Sequence, residues 1–199
     1  TPLYSSAASD VYKRQALTNA FYWANSLIMN TTKYSIQAIE KFLKHHKIAT
    51  IDQLKTAVGN PARCTIFRKL AELEYLSSYS HRGKFYTLRS IARFNALGLW
   101  DYRSVWFSRF GNLLDTAEAL VRSSEAGYTA TELKEVLHVK TKHALTQLVR
   151  SGRIQRESFE SVYVYLSREG AIADRQRKAR KAHLKLSLIH ISEPTRLRR

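Results

Sequence analysis

The chain has 199 residues, with 33 Lys+Arg against 16 Asp+Glu, a formal charge of +17 and a single cysteine, Cys64. One cysteine excludes a disulfide framework within the chain, and neither it nor the scattered histidines have zinc-site spacing. No apolar run approaches the roughly 18 residues of a spanning helix, which points to a cytoplasmic protein, and the basic excess favours a polyanionic partner, nucleic acid before a membrane surface.

In chain order, the first segment to place is SSAASDVYKRQ, Ser5 to Gln15. One coding of Asp10 to Gln15 has a reverse complement that translates as Leu-Ser-Leu-Ile-His-Ile, the residues of Leu186 to Ile191 near the other end. The two ends closely resemble translated transposase mosaic-end adapters used to prepare sequencing libraries, with SSAAS and SEPTR matching the two adapter extensions. Residues 1–15 and 186–199 are therefore expected to lie outside the fold, leaving Val11, Tyr12, Leu188 and Ile191 out of the core. Five of the 33 basic and two of the 16 acidic residues fall in these ends, so a charge of +14 remains. Residues 16–28, ALTNAFYWANSLI, are apolar and uncharged. With no basic residue of their own in front they read as upstream DNA translated in frame, a short N-terminal helix being the alternative. The natural product is expected to run from Met29 to about Lys185.

From Asn30, Ile36, Ile39, Phe42 and Leu43 recur at helical spacing. Thr31, Thr32 or Ser35 can cap this helix, and His45 and His46 suit its C-terminal dipole. Thr50 with Gln53 is a capping-box pair that opens a second helix, and Gly59 ends it. Asn60 and Pro61 then read as the N-cap and first position of a third helix. Its apolar spacing turns Phe67, Leu70 and Ala71 inward and Arg63, Thr65, Arg68 and Lys69 outward. Beyond Tyr75, LSSYS and FYTL flank HRGK as two strands around a tight turn, with Gly83 supplying the positive φ.

The same order returns further on. Shifting by 79 residues lays Thr50, Leu54 and Lys55 on Thr129, Leu133 and Lys134, and Thr129 with Glu132 repeats the capping box. Shifting by 78 lays Phe67, Leu70, Ala71, Leu76 and Leu88 on Leu145, Leu148, Val149, Ile154 and Leu166, with one residue deleted in the intervening turn. Two copies of one module are expected, at 29–90 and 111–167. Between them, at 91–110, Phe94, Trp100, Tyr102, Trp106, Phe107 and Phe110 alternate with arginines such as Arg93, Arg103 and Arg109. That mixture fits a rigid joint with arginines at its rim better than a platform for stacking unpaired bases. Residues 168–185 hold seven basic residues and read as a basic tail, helical at first and frayed later, able to track phosphates or merely to be solvated.

Three helices and a hairpin in this order resemble a winged helix-turn-helix. NPARCTIFRKL resembles the recognition helix of winged-helix DNA-binding regulators and SHRGKFYTL their wing, a fold-wide likeness covering Met29 to about Ser167. It implies a mainly α fold with small β-hairpins, built as two tandem winged helix-turn-helix domains that bind double-stranded DNA. Arg63 and Thr65, in the first turns of the third helix, become base-contact candidates. Arg68, Lys69, His81, Arg82 and Lys84 become phosphate candidates, joined in the second copy by Lys140, Lys142 and His143, with Arg150 on the same helix. Because Glu160 and Val162 stand where the first copy has Arg82 and Lys84, the first module is expected to supply most of the binding. The second would assist, or mediate protein contact such as a homodimer. No phosphate-cradling glycine loop, nucleophile elbow or His-Glu metal motif is present, so neither catalysis nor a cofactor is expected. A transcription regulator or mobile-element accessory, nucleoid-associated, is the leading expectation; a tandem winged-helix interaction protein like chromosome-segregation subunits, or an RNA binder, is the alternative.

Overall fold

Capping chemistry sets the element boundaries over residues 34–191, the part described by the computed structural model, with side chains through Leu184. The expectations for residues 1–33, Val11, Tyr12 and the Thr31 and Thr32 caps among them, and for 192–199 lie outside the described residues, as do the side chains of Leu188 and Ile191. Helix α1 (Ile36–His46) buries Ile39 and Leu43 and closes on Lys47 at φ 65°. Strand β1 (Ala49–Thr50) leads into α2 (Ile51–Val58). There the Thr50 hydroxyl accepts from the Gln53 amide, and the Gln53 side chain accepts from the Thr50 amide at 2.8 Å, completing the expected capping box. Gly59, at φ 92°, ends α2. Asn60 does not open the next helix. At φ 58° its amide donates to the Lys55 carbonyl at 2.7 Å, so it finishes the stop of α2, and α3 (Arg63–Glu72) begins later with Ala62 as an N-cap that makes no side-chain bond.

Strands β2 (Tyr75–Ser77) and β3 (Phe85–Leu88) form the expected hairpin, but β2 ends at Ser77, so the connection is residues 78–84 rather than the HRGK turn alone; it turns through Arg82 at φ 53° and Gly83 at φ 72°. With β1 they make a sheet of order β1-β3-β2. The joint region holds a second hairpin that the sequence reading did not anticipate: β4 (Leu99–Tyr102) pairs antiparallel with β5 (Val105–Ser108). Arg103 and Ser104 carry it round at φ 50° and 64°, and two left-handed residues match the twist of the flanking strands. Helix α4 (Leu113–Ser123) is capped by Asn112, whose side chain accepts from the Asp115 amide at 2.9 Å. Strand β6 (Tyr128–Thr129), α5 (Ala130–Leu137), α6 (Lys142–Arg150), β7 (Ile154–Phe159) and β8 (Val162–Ser167) follow, with the Thr129–Glu132 capping box in place. Their sheet has the order β6-β8-β7, the same arrangement as the first. Gly127 is required where β6 meets β8. At φ 67°, a Cβ there would lie 2.6 Å from the Tyr165 carbonyl oxygen. The described chain is thus mixed α/β, with seven helices and small antiparallel sheets.

Helices α3 and α6 begin 79 residues apart and end 78 apart, so the deleted residue lies within the helix rather than in the turn before it. The phase of α3 differs accordingly from the expected one. Its buried residues are Thr65, Ile66, Lys69 and Leu70, while Ala71 is exposed and Phe67 half-buried. Under the 79-residue shift, Thr65, Ile66 and Lys69 fall on Ala144, Leu145 and Leu148, all buried in α6. The apolar pattern alone could not reveal this, because two of the inward positions in the first copy carry polar side chains.

Two compact units result, one of residues 34–75 and 86–91, the other of 76–85 and 92–191. The first has a core of Ile39, Leu43, Ala49, Leu54, Ile66, Leu70, Tyr86 and Leu88. The core of the second is built around Leu120, Val121, Leu133, Leu137, Leu145 and Leu148, and includes Tyr79 from the first hairpin.

The basic tail is helical as expected at its start, but the helix, α7 (Gly170–Ile191), runs on past the expected fraying and is docked through its first turns. Ala173 and Gln176 are buried. Arg177 pairs with Glu157 and Asp174, and Arg180 pairs with Glu132 at 2.9 Å while donating to the carbonyls of Ala126 and Gly127. These two arginines are occupied within the protein, which removes them from any phosphate-tracking role. The Glu132 carboxyl is held below its ordinary range chiefly by hydrogen bonds from Arg180; partial burial opposes this and the Thr129 amide reinforces it. A carboxylate whose folded pKa is depressed stabilises the fold above its unfolded value, and that contribution disappears as pH falls through the folded value. Glu132→Gln should therefore flatten the fall in urea midpoint between about pH 5 and pH 3 relative to wild type, since about pH 4.3 marks the unfolded carboxyl. An identical acid profile for the variant would remove Glu132 from the acid response.

Candidate nucleic-acid interface

Helix α6 owes its orientation to three apolar residues. Ala144, Leu145 and Leu148 are buried, and helical geometry then forces Lys142, His143, Thr146, Gln147 and Arg150 onto the opposite side, where all five are exposed. Thr141 at the N-cap is buried and donates its hydroxyl to the Ala130 carbonyl at 3.2 Å, anchoring the start of α6 to the start of α5. The five outward residues and Lys140 line an open cleft of about 740 Å³. An adjoining depression of about 270 Å³ adds Thr131 and Lys134. Neither lining contains a carboxylate. Such a face offers cations to phosphate, an Arg or Lys fork to guanine and a carboxamide to adenine, on a rod that fits a major groove.

The expected contact residues divide into three groups. Lys140, Lys142 and His143 share this face. His81, Arg82 and Lys84 are exposed at the tip of the first hairpin, where the His81 ring lies 2.8 Å from the Ser80 hydroxyl and packs edge-on against Phe85. On α3, Arg63 and Arg68 are exposed, the Arg63 guanidinium lying over the Phe67 ring. Thr65 and Lys69, at 9% and 6% exposure, are buried, so the base-contact role of Thr65 and the phosphate role of Lys69 are withdrawn. Both sit on the inward stripe that α6 fills with Ala144 and Leu148. The outward face of α3 is left with Arg63, Cys64, Arg68, Ala71 and Glu72, less basic than that of α6.

No protein-family model and no curated protein matches this chain. The chemistry must therefore be read from the site itself. Thr146 and Gln147, and any place for Lys134 in the site, are missing from the sequence-based expectations, although phasing α6 from Leu145 and Leu148 places Thr146 and Gln147 beside His143 and Arg150. Of the aromatic rings in residues 91–110, Trp100 lies 5.3 Å from Phe107, Phe107 is fully buried, and Trp106 stacks on His138 at 4.3 Å. Arg89, Arg93, Arg103 and Arg109 are exposed. Among the described residues no helix is long and apolar enough to cross a membrane, and no cluster of His, Cys, Asp or Glu could hold a metal ion.

Proposed function

We propose that the protein binds double-stranded DNA without catalysing a reaction, as a tandem winged helix-turn-helix protein acting in transcription regulation or as the accessory of a mobile element. One observation carries the reading: α6 presents Lys142, His143, Thr146, Gln147 and Arg150 on a single outward face, with Lys140 beside it and no acidic residue in the lining. The winged-helix assignment draws on the repeated order of helix, short strand, two helices and hairpin, and on the repeated sheet order. The larger share of binding is assigned to the second module, because Thr65 and Lys69 are lost from the face of α3. Fluorescence anisotropy against duplex DNA, single-stranded DNA and duplex RNA across a salt series tests the class of ligand. Duplex DNA should bind tightest, with log K falling linearly against log salt. Failure to bind any duplex at low salt sinks the reading, and a preference for single strands or RNA transfers it to the RNA-binding alternative.

A further inference from the structure

Helix α6 lacks a suitable wing in its own module. The hairpin that follows it turns at Glu160, φ 54°, and leaves Val162 and Tyr163 exposed at 49% and 55%. A carboxylate at that tip repels phosphate. The basic tip belongs to the other hairpin, whose residues 76–85 lie in the same compact unit as α6. Tyr79 is buried in the core that Leu137, Leu145 and Leu148 help to form. Its hydroxyl donates at 3.2 Å to the carbonyl of Leu137, the last residue of α5. Burial, and then the Asp101 carboxylate, push the phenol pKa up, so it stays a donor. The Tyr79 amide donates to the Trp106 carbonyl at 3.1 Å, and the Trp106 amide donates to the Ser80 hydroxyl at 2.9 Å. The Trp106 ring stacks on His138, two residues before Lys140, in the turn that leads into α6. Each hydrogen bond ends on Tyr79 or Ser80, immediately before His81, Arg82 and Lys84.

We propose that this hairpin tip is the working wing of α6: the first module donates its wing to the second module's helix, and His81, Arg82 and Lys84 contact the backbone of the same duplex segment whose major groove α6 enters. The inference rests on the DNA reading above. It accounts for two facts together, the pinning of the basic hairpin at the entrance to α6 and the acidic tip of the hairpin that follows α6.

The test uses the full chain and a duplex of about 10 base pairs, one turn, so that the ligand covers one binding surface. In wild type, Arg82→Ala/Lys84→Ala should make the slope of log K against log salt shallower by about 1.8, or 0.9 for each lost phosphate contact. The same reduction should persist when Arg63→Ala/Arg68→Ala disables α3, and should vanish when Lys142→Ala/Arg150→Ala disables α6. Glu160→Ala should leave the slope unchanged. All these substitutions fall on exposed side chains, and circular dichroism verifies the fold of each variant. Persistence without α6, loss without α3, or no slope change in wild type overturns the donated wing while leaving duplex binding itself intact; absence of wild-type binding instead removes the DNA reading.

Discussion

Replacing Gln176 by leucine is expected to destabilise the protein by about 3 kcal/mol and to loosen α7, although it places an apolar side chain at a fully buried position. Gln176 is 0% exposed and makes four hydrogen bonds. Its side-chain oxygen accepts from the Ser167 amide at the end of β8 at 2.9 Å. Its nitrogen donates to the carbonyls of Val121 and Ser124 at 2.7 and 3.0 Å and to the Ser124 hydroxyl at 3.1 Å, closing the C-terminal end of α4. Leucine fills similar space but satisfies none of these groups, and each buried donor or acceptor left without a partner costs about 1–3 kcal/mol. Urea unfolding measures the total, and hydrogen exchange of the α7 amides should rise before that of α5. The exposed Arg175→Ala serves as control and should fall within about 0.5 kcal/mol of wild type. A Gln176→Leu midpoint equal to that of Arg175→Ala would show that packing alone holds the helix.

Gln176 also marks the limit of what could be read from the sequence. Thr50 with Gln53, Thr129 with Glu132, and Gly59 are short-range devices whose partners lie within a few residues, so their roles were legible and hold in the structure. The hairpin turn at Gly83 was legible for the same reason. What stayed hidden depends on distant partners. Gln176 looks like one more polar residue in a basic run, and its burial is explained by Ser167 nine positions earlier together with Val121 and Ser124, more than 50 positions earlier. Arg180 likewise counts as a solvated cation until Glu132 and the Ala126 carbonyl arrive beside it. Thr65 and Lys69 were turned outward because an apolar pattern assigns faces by polarity, whereas the core of the first unit takes in a threonine and a lysine. The β4–β5 hairpin is not legible because its turn residues, Arg103 and Ser104, are none of the glycine, asparagine or aspartate that usually announce a left-handed turn.

On the outward face of α6, the triple substitution Lys140→Ala/Lys142→Ala/Arg150→Ala is expected to weaken duplex binding far more than Arg63→Ala/Arg68→Ala, the reverse of what the first module's basic hairpin suggested. If each cation neutralises one phosphate, the slope of log K against log salt becomes shallower by about 2.7, and binding at 0.1 M salt falls by roughly two to three orders of magnitude. Stability should change little, because all three side chains are exposed and Lys140 lies before the first turn of the helix. Gln147→Ala separates the two kinds of contact available on this face. A carboxamide releases no counterion, so the slope should stay that of wild type while discrimination at one adenine position falls by about 1–3 kcal/mol, read by comparing a selected duplex with its single-base variants. Arg63 and Arg68 can give at most about 1.8 in slope, and Arg63 already lies over the Phe67 ring. Equal slopes for the triple variant and wild type would mean that phosphates do not approach α6, and the weight of binding would return to α3.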